Sequence, residues 1–295
     1  MFQRLLLIVV SFFATFLVAT SLSGCATPDS RIASNSNQLK ALLPIRFLLS
    51  FDDGPAPGGS TASILDDLEH NPLQPGIKAI FFLETRAEGR GGSDTGRQLM
   101  QREFADGHLL AFHTGTSGHE NHRFLDPQMF EQSLADGVAD IRAISGSAPA
   151  LVRPPYWNYD ARTFVAYRLH GLHPLLTDLS ANDGKTWGFI ASPRRRWALR
   201  HQLAAVRERI ALGELPVVDG CIPVVVTFHD TNPYTARHMQ EYLHILVDSA
   251  HELGLPLADQ PFYGERGALE RAALSRTVAD AAEHPRLPGL WQYIW

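Results

Sequence analysis

Two adjacent carboxylates, Asp52 and Asp53, close an apolar run in Ser50-Phe51-Asp52-Asp53-Gly54-Pro55, and polar residues close later runs at His113-Thr114, Arg153-Pro154-Pro155-Tyr156, Asp178 with Asp183, and His229-Asp230. Neighbouring aspartates repel and raise each other's proton affinity unless a cation lies beside them. One of the pair can then bind a metal ion while the other, free of it, serves as a base. His113 with His119 completes a two-histidine, one-carboxylate set that leaves open positions for water and a substrate oxygen. Such a site acidifies bound water and polarises a carbonyl. Arg153 brings a permanent positive charge to hold the second aspartate ionised, and His229 on the opposite wall would protonate a leaving amine. These are the parts of metal-assisted amide or ester hydrolysis.

The elements that must bring these residues together are legible as an alternation. Ile45 to Phe51, Lys78 to Leu83, Leu109 to Phe112, Ala150 to Val152, Pro174 to Thr177, Ile222 to Phe228 and Leu255 to Ala258 are too short for helices and are bounded by Gly, Pro or Asp, as strands are. Between them, apolar residues recur with the 3.6-residue period of a helix: Ile64, Leu65 and Leu68; Leu199, Leu203, Val206 and Ile210; Met239, Tyr242, Leu243, Leu246 and Val247. About seven strand–helix units predict an α/β fold with a parallel sheet wrapped by helices, either a closed barrel or an open doubly wound sheet. Their number over this length favours a small, irregular barrel. In either form the site lies where the carboxyl ends of the strands meet the loops, so Asp, His and Arg at successive run ends predict one pocket.

The order of these motifs, with Gly107-His108 ahead of His113-Thr114 and Val226-Thr227-Phe228 ahead of His229-Asp230, resembles the NodB-homology polysaccharide deacetylases, carbohydrate esterase family four. The resemblance spans residues 44–260. It implies a distorted (β/α)7 barrel, a single catalytic domain, and removal of N-acetyl or O-acetyl groups from a polysaccharide. It further implies Asp52 as the catalytic base, Asp53 and His113 as metal ligands, Arg153 as the residue that tunes Asp52, and the Tyr156 backbone N–H as an oxyanion donor. His229 becomes the general acid, Asp183 its orienting carboxylate, and Trp187 a residue of the substrate groove. Three positions depart from the family pattern. Ser117 stands where the second metal histidine usually lies, which makes His119 the expected ligand, with His122 as the alternative. Gly184-Lys185-Thr186 separates Asp183 from Trp187, normally adjacent to it. Ser50 replaces the usual Thr and keeps the hydroxyl. Zinc is the expected ion, although the same ligands accept cobalt, nickel or manganese.

The amino terminus addresses the chain. After Arg4, Leu5 to Leu22 is almost wholly apolar, and no cluster of Lys or Arg follows as a stop signal. Leu22-Ser23-Gly24-Cys25 resembles a bacterial lipoprotein signal, which implies removal of residues 1–24, acylation of Cys25 and a tether over 25–43. Ala26 after Cys25 points to the outer membrane facing the periplasm in a Gram-negative cell, and residues 261–295 are expected to pack back on the barrel. Lys plus Arg number 26 against 31 Asp plus Glu, a net charge of −5, so no global positive field draws the chain to nucleic acid. An acetylated polysaccharide and the membrane are the expected partners, and no protein partner is inferable. Blander readings hold elsewhere: Cys221 as a buried small hydrophobe, His108, His170, His173, His201, His244 and His251 as surface or supporting residues, and Arg194 to Arg196 as a solvated face. Trp157 and Tyr159 form either a sugar-stacking platform or ordinary rim packing. A barrel glycoside hydrolase and a binding-only lipoprotein are the competing functions; the first releases shortened sugars and the second no acetate.

Overall fold

The computed structural model describes residues 43–183 and 195–284. Cys25, Trp187, Arg194 and the apolar Leu290–Trp295 end lie outside them. The strands are β1 (Ile45–Gly54), β2 (Ile80–Glu84), β3 (Leu109–Thr114), β4 (Leu151–Val152), β5 (His173–Pro174), β6 (Leu179–Ser180), β7 (Ile222–His229) and β8 (Leu257–Phe262). The helices are α1 (Ser60–His70), α2 (Asp94–Ala105), α3 (Pro127–Ser145), α4 (Ala161–Leu169), α5 (Arg195–Ala211), α6 (Pro233–Arg237), α7 (Met239–Glu252) and α8 (Arg266–Ser275). The strands pair in parallel in the order β5-β4-β3-β2-β1-β7-β6, with β8 also pairing β1. β5 and β6 lie at opposite ends of this order, yet only residues 175–178 join them. An extended link of that length spans at most about 18 Å, so the sheet must curl until its edges approach. The result is the distorted barrel of parallel strands and outer helices.

Alternation along the strands produces two cores. Phe47, Leu49, Phe51, Val224, Val226 and Phe228 face the helices, packing with Ile64, Leu203 and Leu246 among others. Leu48, Ile80, Phe82, Ala111, Leu151 and Val225 face inward and meet Leu269, Ala272 and Ala273 of α8. Both faces of β1 and β7 are buried, which is why each reads as a continuous apolar run. The predicted apolar stripes of α1, α5 and α7 are the buried faces of those helices, each large side chain contributing about 1.5–3 kcal/mol. α8 closes the barrel at the strands' amino ends, where Arg266 Nε donates to the carbonyl oxygens of Gly107 and His108 at 3.3 and 2.9 Å. The polar residues on the same inner face are therefore left at the opposite, carboxyl end.

Several local expectations change. β4 and β5 are two residues long, β6 was not expected, and β8 begins later and runs further than the Leu255 to Ala258 pattern. Tyr159 is no platform: it is buried, and its hydroxyl donates to the carbonyl oxygen of Glu283 in the C-terminal segment. That segment also covers the β5 edge, with Val278 N–H donating to Pro174 O at 2.9 Å. Of the two readings for His108, surface or supporting, the second holds: it is buried, accepts a hydrogen bond from Ala79 N–H at 3.1 Å, and is pushed down to about 3 by burial and the nearby Lys78, Arg266 and Arg102 charges. Arg195 and Arg196 reach across to α7, pairing with Glu241 and with Asp248 and Glu252.

Candidate active site

Inward alternation at the strand ends carries the site. On β1, Leu48 and Ser50 are followed on the same face by Asp52; on β7, Val225 and Thr227 are followed by His229; on β3, Ala111 is followed by His113. Alternation alone would send Asp53 to the helix side. It does not, because Asp53 adopts a left-handed backbone with φ of 69°, at a point where the β1–β2 register shifts between Phe51 and Gly54. A non-glycine residue held there costs about 1–3 kcal/mol, and the effect is to bring both neighbouring carboxylates to one end of the barrel.

The two carboxylates then meet different partners. Asp52 is buried, and Arg153 Nη1 lies 3.3 and 3.2 Å from its two oxygens. Arg153 is fully buried over the Phe82 ring at 4.4 Å, and donates also to Leu175 O at 2.6 Å, Thr227 Oγ1 at 2.6 Å and Ser50 Oγ at 3.2 Å. Burial lowers the arginine's pKa and the Asp52 charge opposes this. Such a saturated guanidinium holds the Asp52 carboxylate in place. Asp53 faces imidazoles instead: its Oδ1 is 3.0 Å from His113 Nε2 and 3.5 Å from His119 Nδ1, and its Oδ2 is 3.9 Å from His229 Nε2. Burial opposes its charge, but His229, His113 and His119 outweigh that and hold Asp53 well below the usual carboxylate range.

The donor set fits a divalent metal ion. His113 Nδ1 donates to the Arg153 carbonyl oxygen at 2.7 Å, so the lone pair of its neutral form lies on Nε2, which faces Asp53. Two electron-pair donors in that relation are bridged by a proton or by a metal ion. Ligand atoms of Asp53, His113 and His119 all lie within 4.8 Å of one another. His122, the alternative ligand, is elsewhere. It is buried between Phe112 at 5.8 Å and Phe130 at 5.1 Å, with Nδ1 2.8 Å from the Tyr167 hydroxyl, and burial followed by the His113 and His119 charges pushes it well below the ordinary histidine value.

His229 stands on the other wall. Its Nδ1 is 2.8 Å from Asp183 Oδ1 and its backbone N–H donates to Asp183 Oδ2 at 2.9 Å. Asp183 is itself fixed by the Thr235 hydroxyl and, through its carbonyl oxygen, by Asn232, both at 2.5 Å. Burial works against a charged His229, but Asp183, Asp53 and Asp52 outweigh it and raise the imidazole to about 10. Tyr156 and the partly buried Trp157 lie on the rim, with consecutive left-handed φ values of 59° and 52°. The Tyr156 hydroxyl donates to His119 O at 3.1 Å. Asp178 does not join the site; its carboxylate binds Arg209, Arg276 and the Val225 N–H. Two residues were given no role in the sequence. Asp230 turns away from the pocket, takes a hydrogen bond from Thr61 at 2.5 Å, and is pushed up to about 7 chiefly by burial. Glu84 contacts His119, and the signal for it was available: it continues the inward alternation Ile80, Phe82, Glu84 of β2.

Comparison with known proteins bears on the family and the fold. Residues 44–175 match the polysaccharide deacetylase family model, a shorter stretch than the 44–260 of the motif resemblance. A chitin deacetylase of Pestalotiopsis sp is 28% identical over 173 residues, covering 57% of this chain and 55% of that protein. This chain thus spans about half the length of that relative. Among solved structures, the chitin deacetylase of Colletotrichum lindemuthianum superposes with a TM-score of 0.54 at 23% identity, covering 73% of this chain and 85% of that one. The peptidoglycan deacetylase PdaC of Bacillus subtilis gives 0.51 at 21% identity, covering 79% and 93%. These two likenesses show the shared barrel. Motif order, family match and fold point the same way: residues 44–175 are similar to the polysaccharide deacetylase family.

Proposed function

We propose that the protein is a metal-dependent hydrolase that removes acetyl groups, N-acetyl in the first instance, from a cell-envelope or exported polysaccharide. The observation that carries this is the separation of roles at the strand ends: a ligand set of Asp53, His113 and His119 beside an arginine-held Asp52 and an aspartate-held His229. A divalent ion on those ligands, zinc by default, supplies Lewis acidity that lowers the pKa of water and polarises a carbonyl. Asp52, held by Arg153, takes the proton from the attacking water as its oxygen bonds to the acetyl carbon. The Tyr156 N–H serves as an oxyanion donor as the tetrahedral centre develops. His229, protonated at neutral pH, gives its proton to the nitrogen as the C–N bond breaks, leaving acetate and a free amine. Trp157 and Trp187 are assigned to the groove.

The three relatives named above are, by their names, deacetylases of chitin or peptidoglycan, and an N-acetylglucosamine polymer is the substrate class proposed here. The apolar segment ending at Cys25 supports a lipid anchor and a site facing the periplasm. Mass spectrometry of the mature amino terminus reads this directly: diacylated Cys25 is expected, and an intact Met1 overturns it. For the activity, acetate release is measured on acetylated chitooligosaccharides, peptidoglycan fragments and acetylated xylan. Release is expected from at least one glucosamine polymer, lost with chelator and restored by zinc. Release indifferent to chelator, or shortened sugars without acetate, overturns the reading.

The acid role has its own test. His229 donates only while protonated, so activity is present below its folded pKa and lost as pH rises through it. Asp183→Asn removes the largest charge that raises this pKa, so the alkaline limb of the pH–rate profile is expected to move down by about one unit or more. A limb that stays in place removes His229 as the acid.

A further inference from the structure

Three imidazoles meet at the site, and each has its Nδ1 occupied by an oxygen: His113 by the Arg153 carbonyl at 2.7 Å, His229 by Asp183 at 2.8 Å, and His119 by Glu84 Oε1 at 2.6 Å. The first two imidazoles sit on β3 and β7, whose ladders fix their backbones. His119 has no such support. It follows a non-helical stretch after Thr114, between β3 and α3, and its side chain is about one-quarter exposed. A ligand on a loop is held less well than one on a strand or helix, and needs a supporting contact from a rigid element.

We propose that Glu84 is a positioning residue of the metal site, its carboxylate fixing the His119 ring by accepting a hydrogen bond from Nδ1–H, so that Nε2 carries that ring's lone pair. Glu84 is suited to this by its position. It ends β2 on the inward face, its side chain is 4% exposed, and its backbone is locked by the β2–β3 ladder and by the Gly91 N–H, which donates to Glu84 O at 3.1 Å. Arg90 Nε stands 3.9 Å from Oε2, too far for a hydrogen bond, so the short contact of this buried carboxylate is the one to His119. Two further contacts restrain His119: the Tyr156 ring packs edge-on at 4.6 Å, and the Tyr156 hydroxyl holds the His119 carbonyl. Glu84 itself lies outside the set of mutually close ligand atoms. It acts through His119, in the way that a carboxylate behind a metal-bound histidine sets its tautomer and ring orientation.

The proposal rests on reading Asp53, His113 and His119 as the metal ligands, so the experiment measures metal affinity rather than turnover. Zinc dissociation constants are determined by chelator competition for the full-length protein and for Glu84→Ala, Glu84→Gln, His119→Ala, Asp53→Ala and the exposed control Glu88→Gln. Melting temperatures of the metal-stripped forms report folding. Glu84→Ala is expected to weaken zinc binding about 10–100-fold, and Glu84→Gln less, because its amide oxygen still accepts from Nδ1–H. Glu88→Gln is expected to match the parent. In the cobalt-substituted protein, the visible ligand-field band is expected to shift in both Glu84 variants, a signature that a merely structural role would not move. Should Glu84→Ala fail to fold, the near-isosteric Glu84→Gln decides. Zinc affinity within twofold of the parent in the Glu84 variants overturns the proposal, as does an unshifted cobalt band. A loss as complete as that of Asp53→Ala also overturns it, since Glu84 would then be a ligand. A parent protein that binds no zinc overturns the metal-site reading, and the proposal with it.

Discussion

Asp52→Asn is expected to lower acetate release by about 10³-fold while zinc content stays at the parental level. The size follows from the role: a positioned general base contributes about 10²–10⁴-fold, and an amide of nearly the same shape cannot accept the water's proton. Metal retention follows from the geometry, because the residues that converge on the ligand site are Asp53, His113 and His119, whereas Asp52 spends its oxygens on Arg153. The same geometry predicts a stability cost. Arg153 is fully buried, and removing the charge of its partner leaves an uncompensated guanidinium, a change that costs up to about 3–5 kcal/mol in buried pairs. Turnover must therefore be compared below the variant's melting temperature, with zinc measured on the same sample. Full turnover in a folded, zinc-loaded variant removes Asp52 as the base.

His119→Ala and His122→Ala are expected to fail in opposite ways. The first loses zinc and with it activity, since His119 is one of three converging donors. The second keeps zinc and loses stability by about 3 kcal/mol, the cost of emptying a buried aromatic site. His122 fills the space between Phe112, Phe130 and Tyr167, and its Nε2 has no partner among the described residues. Zinc content and melting temperature, measured on both variants, separate the two roles. Zinc lost from His122→Ala but retained by His119→Ala would exchange the assignments.

The contrast between these histidines shows where residue order stops being informative. Both lie in one short polar stretch, His119-Glu120-Asn121-His122, and loop length alone favours neither strongly. What separates them is the company each meets. His122 is captured by aromatic rings from β3, α3 and α4, while Glu84 from β2 takes His119. β3 and α3 approach closely enough to hold this arrangement because a Cβ at Gly137 would meet Phe112 Cε2 at 2.2 Å. The Tyr167 and Glu84 pairings join positions 45 and 35 residues apart in the chain.

The strands divide in the same way. β1, β3 and β7 are long and buried on both faces, so their apolar runs, and the Asp, His and Arg residues at run ends, are visible in the chain itself. β4, β5 and β6 have two residues each, too few to carry a period, and exist because neighbouring strands offer ladder partners. By itself the sequence determined the alternation of strand and helix, the order of the motifs and the chemical types gathered at one end, because these depend on residue identity and near spacing. Tertiary structure alone decided that Asp53 turns against its strand's alternation, that His119 rather than His122 faces it, that Asp178 is a clamp outside the site, and that Glu84 belongs to it. Each of those outcomes depends on contacts between segments far apart in the chain, and their energies appear only when the barrel closes.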